Sequence, residues 1–230
     1  MNRTGIEYLD FTWNPIVGCF GVGCAVREHC WARAMARRQK NRCKVLCYSF
    51  IPHFHEERLL EPLERKKPSR IGVCFMGDFF DTAGSDYWRA RVYSVIDSAP
   101  QHTFLILTKQ PELIPPRWPM RQKWILPANL WIGVSVNCRA DLWRLYHLQL
   151  RDQITLRFVS FEPLYEDMGD VDLHGIGWVI IGAQTRPELQ PKREWVENLL
   201  RAAAKYGIPV FMKNNLRFPN LIQEFPKDGL

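Results

Sequence analysis

Six short apolar runs constrain this chain more than any other feature. Residues 71–76, 103–108, 130–136, 156–161, 178–181 and 208–212 are each mostly apolar and bounded by turn residues. A half-exposed strand alternates apolar with polar side chains, whereas a strand of a parallel sheet covered on both faces has no wet side. Such runs predict buried parallel strands. Helical patterns fall between them at 87–98, 139–149 and 194–206. In the last, Trp195, Leu199, Leu200 and Ala203 recur at helical spacing and Gly207 supplies a stop. A helix over 29–40 and a strand near 8–13 precede the series. Residues 111–127, rich in proline and tryptophan, read as a loop, and 52–69 as a charged, partly helical connection. Alternating strand and helix give an α/β class. With no repeat or linker in sight, the expectation is one domain over 1–230: a partial (β/α) barrel of about six to seven mostly parallel strands, or else an open doubly wound sheet.

The 230 residues, 47% of them hydrophobic, suffice for a buried core. No run of 18 uninterrupted apolar residues occurs, and the opening MNRTGIEYLDF lacks the charged-then-apolar pattern of a signal peptide. The expectation is a cytoplasmic protein that does not enter a membrane. A net charge of +7 suits an anionic partner such as nucleic acid. Its basic clusters at 33–44 and 65–70 fit solvated surface equally well. Phosphate-loop, dinucleotide-fingerprint, nucleophile-elbow and H-E-x-x-H motifs are all missing. His53 and His55 are the only close pair of histidines and read as loop or helix residues. Trp131, Trp178 and Trp195 read as core.

Ligands of parallel α/β folds bind at the C-terminal ends of the strands, so the residues where each run stops carry the functional expectation. They are polar in every case: Gly77 and Asp78, Thr108 and Lys109, Ser135 and Asn137, Ser160 and Glu162, Gln184, then Lys213 and Asn214. Ser135, Asn137 and Glu162 suit a ribose or an amino-acid head group, and Lys109 and Lys213 suit a carboxylate or phosphate.

Three of the seven cysteines lie within GCFGVGCAVREHCWARAMARR, a glycine-containing stretch leading into a basic helix. Cys19, Cys24 and Cys30 suit a metal in a reducing compartment better than a disulfide framework. Thiolates are the ligands of iron–sulfur clusters, and Gly18, Gly21 and Gly23 let the backbone wrap a bulky inorganic core. Three thiolates on a four-iron cluster leave one iron open to a substrate. The competing reading is a zinc-stabilised nucleic-acid-binding protein without catalysis, with His29, Cys43, Cys47 or His53 completing a tetrahedron. C-x4-C and C-x5-C are not the usual C-x2-C zinc spacing. Cys74 and Cys138 read as packing residues, and Cys43 and Cys47 as incidental.

The order IEYLDFTWNPIVGC, CWARAMARR, HTFLILTK, LWIGVSVN, RFVSFEPL, GWVIIGAQ and IPVFMK, spanning about residues 6 to 214, resembles a phage-associated, three-cysteine family of uncharacterised proteins. That family is regarded as a compact branch of the radical S-adenosylmethionine superfamily, similar in outline to spore photoproduct lyase. The resemblance implies a partial barrel with a [4Fe–4S] cluster on Cys19, Cys24 and Cys30 in a loop over 18–31. S-adenosylmethionine would chelate the open iron, and cleavage would give a 5′-deoxyadenosyl radical. It places His29 near the adenine, Gly77 and Asp78 at the methionine moiety, and Ser135, Asn137 and Glu162 at the ribose or amino-acid end. It further implies an external flavodoxin- or ferredoxin-like electron donor and a nucleic-acid base or nucleotide as substrate, with DNA modification or repair as the outcome. The chain departs from the superfamily's C-x3-C-x2-C, and from its relatives' C-x6-C-x2-C, in having C-x4-C-x5-C. It also has GAQT where relatives carry an acid in place of Gln184.

Overall fold

The computed structural model describes residues 1–21, 24, 27–40, 47–81, 85–115 and 126–227. The chain divides into two compact units, Met1–Ile132 with Gln153–Thr155, and Gly133–Asp152 with Leu156–Leu230.

The first unit holds β1 (Asn2–Arg3), β2 (Phe11–Trp13), β3 (Ile16–Val17), α1 (Trp31–Arg37), β4 (His53–Phe54), α2 (Glu61–Glu64), β5 (Arg70–Val73), α3 (Asp86–Asp97), β6 (Thr103–Thr108) and the start of β7 (Leu130–Ser135). Its strand order is β1-β2-β5-β6-β7. β1 is antiparallel to β2, while β2, β5 and β6 run parallel, with Trp13 opposite Val73 and Ile71 opposite Phe104. The middle strands are buried at Ile71, Val73 and Phe104–Ile106, as their apolar runs require. Trp13 is fully buried, packs on Phe104, and donates its indole N–H to the Arg58 carbonyl at 2.7 Å. Ser85 caps α3 by accepting from Trp88 N, and Val92, Tyr93, Val95 and Ile96 form the buried face. A separate antiparallel pair joins β3 to β4, with Ile16 opposite Phe54 and Val17 opposite His53.

The apolar run 71–76 outlasts its strand. β5 stops at Val73, Cys74 takes a left-handed φ of 58°, and Gly77 N donates back to the Cys74 carbonyl at 3.0 Å. The turn is itself buried at Cys74, so apolarity continues where extended backbone ends.

The second unit carries the remainder of β7, then α4 (Leu142–Gln149), β8 (Leu156–Phe161), β9 (Trp178–Ile181), β10 (Gln184–Thr185), β11 (Glu188–Leu189), α5 (Arg193–Lys205) and β12 (Val210–Met212). Its strand order is β7-β8-β9-β12, with β8, β9 and β12 parallel, and β10 and β11 form a short hairpin. Phe158, Trp178–Ile181 and Phe211 form the core with Val196, Leu199 and Ala203 of α5. The outer edge of β12 is covered by residues 222–224: Met212 N donates to the Ile222 carbonyl, and Glu224 N to the Val210 carbonyl.

The α/β class and the mostly parallel strands stand as the alternation predicts. No helix among the described residues is long and apolar enough to cross a membrane.

Candidate metal centre

β3 delivers the chain to Gly18, the first residue of the cysteine loop. Gly18 bridges Gly77 in parallel sense, and its N–H donates to the Met76 carbonyl at 2.8 Å. The contact has no room for a side chain on either residue. A Cβ on Gly77 would lie 2.4 Å from the Gly18 carbonyl oxygen, and one on Gly18 would lie 2.6 Å from those of Phe50 and Ile51. Gly18 also has φ +89°, a region that favours glycine. One residue past Cys19, the Phe20 N–H donates to Oδ2 of buried Asp81 at 2.9 Å. Cys19 is therefore held from both sides, by the end of β5 and by the carboxylate that follows it.

Cys30 forms the N-cap of α1, with its Sγ accepting from Arg33 N at 3.5 Å. Cys19 and Cys30 pack on one small cluster, Ala32, Ala36 and Phe50, together with Met76. Cys24, whose N–H donates to the Gly21 carbonyl, completes the trio. All three thiols are half-buried and outside any disulfide. Burial pushes the Cys19 thiol up to about 12, and Asp78, Asp81, Cys30 and Cys24 add to the shift by charge repulsion. A thiol so placed stays protonated at neutral pH unless a cation takes the proton's place. A buried thiol with two further thiols and two carboxylates near enough to act on it by charge suits a thiophilic metal or cluster. Val22, Gly23, Ala25 and Val26 lie outside the described residues, so the part assigned above to Gly23 does too.

The other expected residues of the first unit gather beside this loop. Asp78 Oδ1 accepts from the Thr108 hydroxyl at 2.6 Å and Phe80 N at 3.1 Å, and its Oδ2 accepts from Lys109 N at 2.9 Å. Burial pushes the Asp78 carboxyl up, against these hydrogen bonds and the Lys109 charge. Asp78 thus clamps the end of β5 to the end of β6. His29 lies on the short turn Arg27–His29 before Cys30 and is exposed.

In the second unit Glu162 and Lys213 form an ion pair at the ends of β8 and β12. Gly182 makes space for it, since a Cβ there would meet Glu162 Cγ at 2.9 Å and Lys213 Cδ at 3.2 Å. Ser135 is buried and its carbonyl accepts from Arg144 at 3.0 Å. Asn137 is buried and donates through Nδ2 to the Pro163 carbonyl at 3.0 Å. Its Oδ1, like the Ser160 hydroxyl, is buried with no hydrogen-bond partner among the described residues. Gln184 is tied up locally, accepting from the Tyr165 hydroxyl and donating to the Pro187 carbonyl.

One further group, Cys47 with His53 and His55, is not expected from the sequence. His53 lies on β4 and not in a loop or helix, whereas His55 follows the strand and is the N-cap of the 3-10 turn Glu56–Arg58; both ring Nε2 atoms meet Cys47 Sγ, at 3.3 and 3.2 Å. The available signal was the H-x-H spacing itself, which puts both rings on one face of an extended strand. Cys43 lies outside the described residues. Cys74 is buried, as a packing residue should be, and Cys138 is half-buried.

Fold and site together define an α/β protein of mostly parallel strands, with a thiol-rich candidate metal centre at a strand end. The chain belongs to the DUF5131 family, described as a protein of unknown function, whose model matches residues 3–221. No curated protein and no solved structure matches it.

Proposed function

We propose that this chain is a radical S-adenosylmethionine enzyme in which Cys19, Cys24 and Cys30 hold a [4Fe–4S] cluster. The observation that carries the reading is the grouping of three half-buried, disulfide-free thiols on a loop locked to the end of β5 through Gly18 and Gly77. Cys19, Cys24 and Cys30 would hold the cluster, and the chemistry it would supply with S-adenosylmethionine, given one electron from an external donor, is reductive cleavage to methionine and a 5′-deoxyadenosyl radical. The chain's own residues position and shield. Asp78 fixes the β5 and β6 ends, with each of its carboxylate oxygens already accepting hydrogen bonds. Its role is therefore to shape the methionine-binding backbone at Gly77, not to ligate. His29, exposed before Cys30, is free to cover an adenine ring. Among the described residues the buried Asn137 Oδ1 and Ser160 hydroxyl have no hydrogen-bond partner, and a ribose or amino-acid group would supply one. Glu162 offers an acceptor and Lys213 a donor. Lys109 adds positive charge beside Asp78.

On this reading the strands form a partial (β/α) barrel, the electron comes from a flavodoxin- or ferredoxin-like donor in the cytoplasm, and the substrate is a nucleic-acid base or nucleotide, in keeping with the charge of +7. Anaerobic reconstitution tests it. The protein should take up about four irons per chain and release 5′-deoxyadenosine with dithionite, and Cys24→Ala should do neither. A wild-type protein that binds no iron and forms no deoxyadenosine sinks the reading.

A further inference from the structure

The two imidazoles beside Cys47 are oriented by their outer nitrogens. His53 Nδ1 lies 2.7 Å from the Ile51 carbonyl oxygen, and His55 Nδ1 lies 2.7 Å from Glu57 Oε1. Those oxygens accept, so each Nδ1 carries the ring proton, and in a neutral imidazole the Nε2 is then a bare lone pair. Yet the two Nε2 atoms face one another at 3.0 Å, with Cys47 Sγ completing a triangle. Two lone pairs repel at that distance unless a cation lies between them. A backbone carbonyl and a carboxylate on the far nitrogens are the outer partners that metal-bound histidines use.

We propose that Cys47, His53 and His55 form a zinc site, separate from the three-cysteine loop and independent of the enzymatic reading. Two imidazole nitrogens and one thiolate are a donor set for Zn²⁺, and exclude the oxygen-seeking Ca²⁺ and Mg²⁺. Tetrahedral zinc, with bonds of about 2.1 Å to nitrogen and 2.3 Å to sulfur, sets nitrogens about 3.4 Å apart and sulfur about 3.6 Å from nitrogen. The triangle needs to open by only a few tenths of an ångström. His55 and Cys47 are buried, and β4 is fixed on its other face, where Phe54 stacks on Trp88 at 5.8 Å. The fourth position is left to water or a further ligand.

Cys47 is disulfide-bonded in this structure. Disulfide and metal compete for the same sulfur, so the site belongs to the reduced chain. A dithiol or phosphine reductant supplies two electrons and solvent two protons, giving two thiols. Zn²⁺ then displaces the Cys47 proton into solvent. The ion's place in the fold gives it a task. His53 is paired with Val17, two residues before Cys19, and the Phe50 and Ile51 carbonyls abut Gly18. Zinc at this point braces the base of the cysteine loop.

The test loads reduced, iron-free protein with Zn²⁺ alone, in a Cys24→Ala background that disables the other thiol site. About one tightly held zinc per chain is expected, with X-ray absorption showing two imidazoles and at least one sulfur. Adding His53→Gln or His55→Gln should weaken binding more than about tenfold. Undiminished zinc in a folded histidine variant, no tight zinc in the Cys24→Ala protein, or a shell without imidazole overturns the proposal. Because the absorption measurement uses a chain with both histidines, a histidine variant that fails to fold does not shelter it. Deoxyadenosine release is read separately, so either reading can fail alone.

Discussion

Gly77 and Gly18 touch through backbone alone, and both neighbours are carbonyls that cannot rotate aside as a flexible side chain would. Gly77→Ala puts a Cβ 2.4 Å from the Gly18 carbonyl oxygen, so the loop bearing Cys19 must move away from β5. Overpacking of this kind costs about 1–3 kcal/mol. The variant should melt several degrees lower and retain less iron after reconstitution than wild type, by thermal denaturation and iron assay. Unchanged melting with full iron loading contradicts the docking role given to this contact. At this scale the sequence was partly legible. Three cysteines in a glycine-containing segment mark a candidate metal site by their chemistry. The partnership of Cys47 with His53 and His55 is harder to see, because it depends on a two-residue strand and on outer contacts at Ile51 and Glu57. The clamp made by Asp78 and Asp81 was also hidden. A carboxylate that holds backbone N–H groups of distant loops leaves no periodic trace.

Elements were legible where burial and extended geometry coincide. The runs at 103–108, 156–161 and 178–181 match β6, β8 and β9 residue for residue, since each is covered on both faces. β5 ends early because a buried turn looks, in composition, like more strand. α4 starts late because its first turn, Arg139–Asp141, is a 3-10 helix that the apolar pattern does not distinguish. The stop signal of α5 is sound: Gly207 has φ +63°, and Ile208 N returns to the Ala203 carbonyl at 3.0 Å. Among the described residues, no atom beyond its own chain neighbours lies within 4 Å of a Cβ placed there. Gly207→Ala therefore carries only the left-handed backbone cost, about 1 kcal/mol. That should lower the melting temperature by about 2–4 °C without touching metal content. A neutral or stabilised variant contradicts the capping geometry.

For the molecule as a whole, the first unit owns the cysteine loop and its carboxylate clamps, and the second owns the Glu162–Lys213 pair with the Asn137 and Ser160 atoms that have no hydrogen-bond partner among the described residues. Asp78, Asn137, Ser160, Glu162 and Lys213 were singled out in the sequence because parallel strands present their C-terminal ends to ligands whatever the chemistry. That rule does not say which chemistry, since short polar residues serve many ligands. The choice of a cluster rests on the three thiols, and the most direct question is whether an iron bound to them meets S-adenosylmethionine. Electron paramagnetic resonance of the reconstituted, dithionite-reduced protein answers it. The account predicts a cluster signal that changes when S-adenosylmethionine is added, and no such response in Cys24→Ala. A wild-type signal that S-adenosylmethionine leaves unaltered contradicts it.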